Sequence, residues 1–213
     1  EKGHKVYVVG ESQLTSWTNA AILNYTINAY QTWEDTPDYL LLIGDPGSST
    51  AYEVPGGTGS TYDGQQDHYY SKLEGNDILG DIAVGRVSVT NSTQLATALN
   101  KIMLYERTPG SVGNTNWLAS GAVATGYDAN SMIQQSRTIA QGMVAQGFTD
   151  IDSSWYPNTG TAWVEQVFNS GINLYNYRGW IGMNGVGSSW VDSHFSNVGR
   201  PVVSVIFTCA TGD

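Results

Sequence analysis

The feature that most constrains this chain is a set of short apolar runs that are continuous rather than alternating. They fall at residues 6–9, 39–43, 82–84, 122–124, 172–177 and 202–207. A strand reads this way when both its faces are covered, as in a parallel sheet flanked by helices. Helix-period segments separate the runs. Leu23, Ile27 and Tyr30 share one helical face, as do Leu95, Leu99 and Ile102, each set at spacings of four and three. Thr18 suits the N-cap of the first helix, and Asn91 or Ser92 that of the second. Asn130 and Ser131 open a third helix that runs through Met132, Ile139 and Met143. A fourth, over 161–169, buries Trp163, Val164, Val167 and Phe168. Strand and helix alternating this often predict an α/β fold, a three-layer, doubly wound and mostly parallel sheet. The chain has 213 residues, which suits one domain, 1–213, able to bury a core without disulfides. A long Gly-rich insertion at about 46–69 interrupts the pattern as a loop or hairpin, the kind of segment that is often functional.

Composition narrows the function. Only 13% of residues are charged, yet the net charge is −10, so solubility rests on Ser, Thr, Asn, Gln and Gly, with 13 Tyr and 7 Trp. That surface chemistry reads as extracellular or cell-surface, of the bacterial secreted type. The acidic balance argues against nucleic acid, because nothing would neutralise phosphates. No apolar stretch reaches the roughly 20 residues of a membrane span. The chain opens at Glu1 on the approach to a strand, which reads as a trimmed or mature fragment. Its one cysteine, Cys209, excludes an intrachain disulfide and a Cys-based zinc cluster.

In an open parallel sheet, sites form outside the carboxyl ends of the strands. Three such ends stand out: Ile43 into Gly44-Asp45, Tyr177 into Arg178-Gly179, and Phe207 into Thr208-Cys209. Cys209 is thus carried to the mouth of the sheet, where a nucleophile would stand. The competing reading is an inert cysteine at a strand end. Arg178 is the one nearby cation able to lower its pKa.

Several blocks, in order, give the chain a family likeness. They are Ala21 to Tyr25 with Tyr30 and Trp33, and then Pro37-Asp38-Tyr39 through Gly44-Asp45. A spaced set follows: Asp67, Tyr70, Gly75, Asp77, Asp81, Gly85 and Arg86. Tyr105-Glu106-Arg107, Asn176-Tyr177-Arg178-Gly179 and the terminal Thr208-Cys209-Ala210-Thr211-Gly212-Asp213 complete it. In these blocks the sequence resembles the gingipain-like cysteine peptidases, peptidase family C25. The resemblance implies a caspase-like fold and a Cys–His dyad that cleaves peptides through a thioester. Cys209 would be the nucleophile. Backbone N–H groups at Cys209 and near Gly179 or Gly187 would hold the oxyanion, with Arg178 beside the substrate. Asp81 stands where the family carries an acidic residue able to orient the dyad histidine; its plainer reading is a turn or cap carboxylate.

The chain departs from the family where the base belongs. Gly179 is followed by Trp180, and the alternative register, Gly185-Val186-Gly187-Ser188, puts Val186 there. Neither side chain can carry a proton. Of the three histidines, His4 precedes the first run and His68 lies in the insertion. His194, on the connection to Cys209, is the candidate base, although it also matches a non-catalytic Ser-His-Phe of the family. Asp67 and Asp77 offer clustered oxygen ligands of the kind a structural calcium ion takes, with solvated carboxylates as the alternative; no cofactor is required.

The expectation is therefore a secreted cysteine endopeptidase of gingipain type, or a fragment of one truncated at its C-terminal end. It would act on a peptide or protein as part of a larger multidomain surface or secreted protein. The alternative is a catalytically silent domain that binds a protein or glycan, because the family histidine is replaced by Trp180 or Val186. A further segment could complete the sheet, the substrate pocket or the missing base.

Overall fold

The computed structural model describes residues 3–58, 65–183 and 195–209. The chain divides into two compact units, Glu1–Leu99 and Asn100–Asp213.

The first unit is built on helix α1 (Asn19–Thr32) and a parallel pair of strands, β1 (Tyr39–Ile43) and β4 (Ala83–Val87). Thr18 caps α1 as expected, its Oγ1 accepting from Ala21 N at 3.3 Å. The buried stripe of α1 is Ile22, Thr26 and Ala29. It lies one residue round from the expected Leu23, Ile27 and Tyr30, which border the same wide apolar face and are half-buried. Ile22 packs with Leu42, Val54 and Tyr70. Between β1 and β4 the Gly-rich insertion carries a two-residue antiparallel ladder, β2 (Gly57–Thr58) with β3 (Gln65–Gln66), so it is the hairpin-bearing alternative. Residues 6–9, expected as a strand, are unpaired chain with Val6 and Val8 largely exposed. An apolar run needs a neighbouring ladder to become a strand, and none of the described strands supplies one.

Helix α2 (Ser92–Arg107) follows β4, with Asn91 as its cap: Asn91 Oδ1 accepts from Gln94 N at 3.0 Å. No residue of α2 is buried, so its expected apolar face, Leu95, Leu99 and Ile102, has little cover.

The second unit holds a four-stranded, all-parallel sheet in the order β6-β5-β7-β8: β5 (Ser120–Thr125), β6 (Asp150–Ser154), β7 (Leu174–Ile181) and β8 (Val203–Cys209). Helix α3 (Asn130–Ala145) lies along β5 and β7 on the side of Val123. The opposite face, Ala122, Ala124, Tyr175 and Tyr177, packs with Ile172 and with Val167 of α4 (Thr161–Ser170). Helices on both faces explain why these strands read as continuous apolar runs. Strand β6, Asp-Ile-Asp-Ser-Ser, was not predicted. As an edge strand it needs only a thin apolar face, and its sequence carries no strand signal beyond Ile151.

The three strand ends that stand out in the sequence do not share one sheet. Tyr177 and Phe207 do lie on neighbouring strands, β7 and β8. Ile43 belongs to the separate β1–β4 pair. Apolar runs identify buried strands but not the sheet each joins.

Candidate active site

The C-terminal ends of β5, β7 and β8 form one edge of the second unit. Arg178 pairs with Phe207, and the next pairing is Ile181 with Cys209. Two residues of β7, Gly179 and Trp180, therefore stand against one of β8, Thr208. A bulge of this kind turns a strand and re-aims its side chains. Here it coincides with Trp180, which is 62% exposed and tilted against Tyr127 at a centroid distance of 6.1 Å. Thr208 Oγ1 donates to Gly182 O at 3.0 Å across the irregular stretch.

Two glycines beside the bulge are fixed by the buried ring of Tyr177. A Cβ on Gly179 would sit 2.6 Å from Tyr177 Cε1, and one on Gly126 would overlap the phenol hydroxyl. Gly126 N also donates to Arg178 O at 3.0 Å, tying the turn after β5 to β7. Arg178 Nη1 donates to Phe207 O at 3.2 Å, which holds the cation along the last turns of β8.

An open groove of about 620 Å3 runs between α3 and the β7–β8 pair, lined by Gln134, Gln135, Thr138, Ile139, Asn176, Arg178 and Phe207. Arg178 is its only charged lining residue among the described residues. Asn176 is 4% exposed and donates through Nδ2 to Val205 O at 3.5 Å, while its Oδ1 has no partner among the described residues. Tyr175, on the other face, is held protonated far up the alkaline range by burial.

The backbone of Cys209 thus ends a parallel strand next to β7. Its sulfur, together with Val186, Gly187 and His194, lies outside the described residues. Arg178 and Gly179, expected just past the end of their strand, lie within β7, which runs on to Ile181.

The remaining candidates belong to the first unit. Asp81 Oδ2 accepts from Leu73 N at 2.7 Å and Glu74 N at 2.9 Å, and its N–H donates to Ser71 O. This is the turn-carboxylate arrangement. Asp67 places both oxygens on Arg86, from Nε at 2.8 Å and Nη2 at 2.7 Å. Arg86 also donates to the carbonyls of Gly44, Val54 and Pro55. The cation facing Asp67 is therefore a guanidinium, and Asp77 turns its Oδ1 to Leu79 N. Among the described residues no group of three or more His, Cys, Asp or Glu side chains converges as a metal site requires. His68 Nε2 lies 2.8 Å from Ile78 O and Nδ1 3.0 Å from Ser71 Oγ. Since a carbonyl only accepts, Nε2 carries the proton. His4 packs edge-on to Tyr39.

Sequence reasoning missed the Tyr127–Trp180 pair. Trp180 drew notice only as the replacement for a histidine, and nothing in the sequence links it to a residue 53 positions earlier (180 − 127).

The model of Peptidase family C25 matches residues 1–213, the whole chain. The chain belongs to that family. Among curated proteins it is 28% identical to Gingipain R2 and to Gingipain R1 of Porphyromonas gingivalis, over 88% of its length. It spans only 25% and 18% of those two proteins. Among solved structures it is similar to gingipain R, an Arg-specific cysteine proteinase, with a TM-score of 0.73 at 24% identity. That match covers 92% of this chain and 46% of the other. The complex of the pro- and mature domains of RgpB from Porphyromonas gingivalis gives 0.79 at 23% identity, covering 96% and 50%. This C25 chain therefore has the gingipain, caspase-like α/β architecture over about half the length of the solved chains. No helix among its described residues is long and apolar enough to cross a membrane.

Proposed function

We propose that this C25 domain is a cysteine endopeptidase domain with Cys209 as nucleophile, working on an extended peptide outside the cell as part of a larger secreted or surface protein. The observation that carries the reading is the place of Cys209: it ends a parallel strand, paired with Ile181 just past a bulge, beside the Arg178–Gly179 corner. The thiolate would attack the scissile carbonyl carbon, and the C–N bond would break as the amine takes a proton from His194. Water would then release the acid from the thioester and return the thiol. Arg178 favours the thiolate by charge, and N–H groups at Cys209 and Gly179 are the oxyanion donors. The low charge and high polarity of the chain support the extracellular setting.

Peptide hydrolysis with Cys209→Ser and His194→Ala tests this. Each should lose turnover, His194→Ala by roughly 10²–10⁴-fold, while iodoacetamide still labels Cys209 in the latter. Turnover that survives His194→Ala would remove His194 as base.

A second reading rests on Trp180. It occupies a position where the family motif has histidine, and it is exposed against Tyr127. That pair suits a catalytically silent domain that holds a protein or glycan by stacking. Labelling of Cys209 without turnover, together with ligand-dependent quenching of Trp180 fluorescence, would select it.

A further inference from the structure

The groove between α3 and the β7–β8 pair has a charge character opposite to that of the chain. The sequence carries 19 Asp and Glu against 9 Lys and Arg, yet among the described residues no carboxylate lines this groove. Gln134, Gln135 and Thr138 come from α3, Asn176 and Arg178 from one face of β7, and Ile139 and Phe207 supply apolar wall. A guanidinium has five N–H donors, and the contact that the structure gives Arg178 is Nη1 to Phe207 O at 3.2 Å. A carbonyl accepts that bond but brings no charge. Among the described residues no Asp or Glu lies within ion-pair distance of Arg178, in contrast to Arg86, whose fork is closed by Asp67. The cation also stands close to the chemistry. Phe207, its partner across the ladder, is two residues before Cys209, or about 7 Å along a strand. A long substrate side chain and the guanidinium's own reach span that distance between them.

We propose, resting on the peptidase reading above, that this groove receives the side chain of the residue whose carbonyl Cys209 attacks, and that Arg178 selects Asp or Glu there. A carboxylate presents two oxygens in one plane, and the guanidinium fork takes both. The amides of Gln134 and Gln135 are donors for the lone pairs that the fork leaves over. Lys or Arg in the same place would meet a like charge with no acid in the described lining to offset it, and that repulsion adds to the discrimination. Asn or Gln would keep the shape of the acid and lose its charge. The net charge of −10 opposes an anionic peptide only at longer range and is screened beyond about 8 Å at physiological ionic strength.

Acetylated peptidyl acyloxymethyl ketones that differ only in the residue next to the electrophile test this on the full protein. The readout is the second-order rate of Cys209 alkylation, followed by mass spectrometry. With both peptide ends blocked, the side chain is the one carboxylate in each acidic probe. The Glu probe should react about tenfold faster than its Gln isostere, as a hydrogen bond to a charged group implies. Asp should outpace Asn, and Lys should be slowest. Arg178→Gln should bring Glu and Gln to equal rates, and Arg178→Glu should turn the preference towards Lys. A ratio taken within one variant cancels whatever Arg178 does to the thiol itself. Equal rates for Glu and Gln in the unmodified protein, or a Glu preference that outlives Arg178→Gln, overturn the proposal and leave the peptidase reading standing. A Cys209 that iodoacetamide labels and no peptidyl probe reaches overturns the peptidase reading, and this proposal with it.

Discussion

Arg86 uses all five of its N–H donors: two reach Asp67 and three reach the carbonyls of Gly44, Val54 and Pro55. The guanidinium fork thereby ties the insertion to the ends of β1 and β4. Asp67, Tyr70, Asp81 and Arg86 stood out in the sequence as a spaced set, and its spacing suggested chemistry. In the structure three of them hold backbone and Asp67 holds the guanidinium: Tyr70 donates to Pro55 O at 2.5 Å, and Asp81 closes its turn. The residues were legible; their job was not, because spacing cannot tell a ligand from a brace. Arg86→Met should therefore lower unfolding free energy by about 3 kcal/mol in a urea titration, since it removes the guanidinium from Asp67 and from the carbonyls of Gly44 and Val54, while Pro55 O keeps Tyr70. Arg86→Lys should recover only part, because an ammonium cannot reproduce the fork. Tyr70 makes a pH prediction. Burial, partly offset by Arg86, pushes its phenol up to about 12 from 10.0. The folded form binds this proton more tightly than the unfolded one, so the contribution is complete below about pH 10 and disappears as pH rises through about 12. Alkaline unfolding followed by tyrosinate absorbance should show that loss, and Tyr70→Phe should flatten it.

The bulge between β7 and β8 shows how far elements could be read from sequence. The runs at 122–124, 172–177 and 202–207 predicted three of the four strands of this sheet, because both faces of those strands are covered. β6 escaped because an edge strand has less to bury. The bulge escaped for a different reason: it follows from the fit between neighbouring strands, and Gly179 reads alike in a turn or a strand. Its consequence is local and measurable. Gly126 and Gly179 both lie against Tyr177, so Gly126→Ala and Gly179→Ala should each lower the melting temperature by displacing the same ring. Because they share that partner, the double variant should lose less than the sum of the two, a coupling that thermal melts can resolve. Additive losses would mean that each glycine is needed for its own turn.

For the molecule as a whole, the α/β class and the parallel strands were legible, while the sorting of strands into separate sheets was not, since apolar runs carry no record of which strands pair. The chemistry of the site was readable only to its outline: Cys209 at a strand end, Arg178 and Gly179 beside it, and a break in the motif at Trp180. The division of the chain has a kinetic consequence. Each unit is a contiguous stretch of chain, so every described ladder closes within its own unit, over roughly a hundred residues or fewer. On a ribosome adding about 5–20 residues per second, β1 and β4 can pair seconds before β8 is made. The seam falls inside α2, between Leu99 and Asn100, in a helix with no buried residue and with Ile102 and Met103 nearly half exposed. Helices held by so little packing open first in native-state hydrogen exchange. The amides of α2 should therefore exchange well ahead of those of α3 and α4, and limited proteolysis should cut there before either sheet is lost.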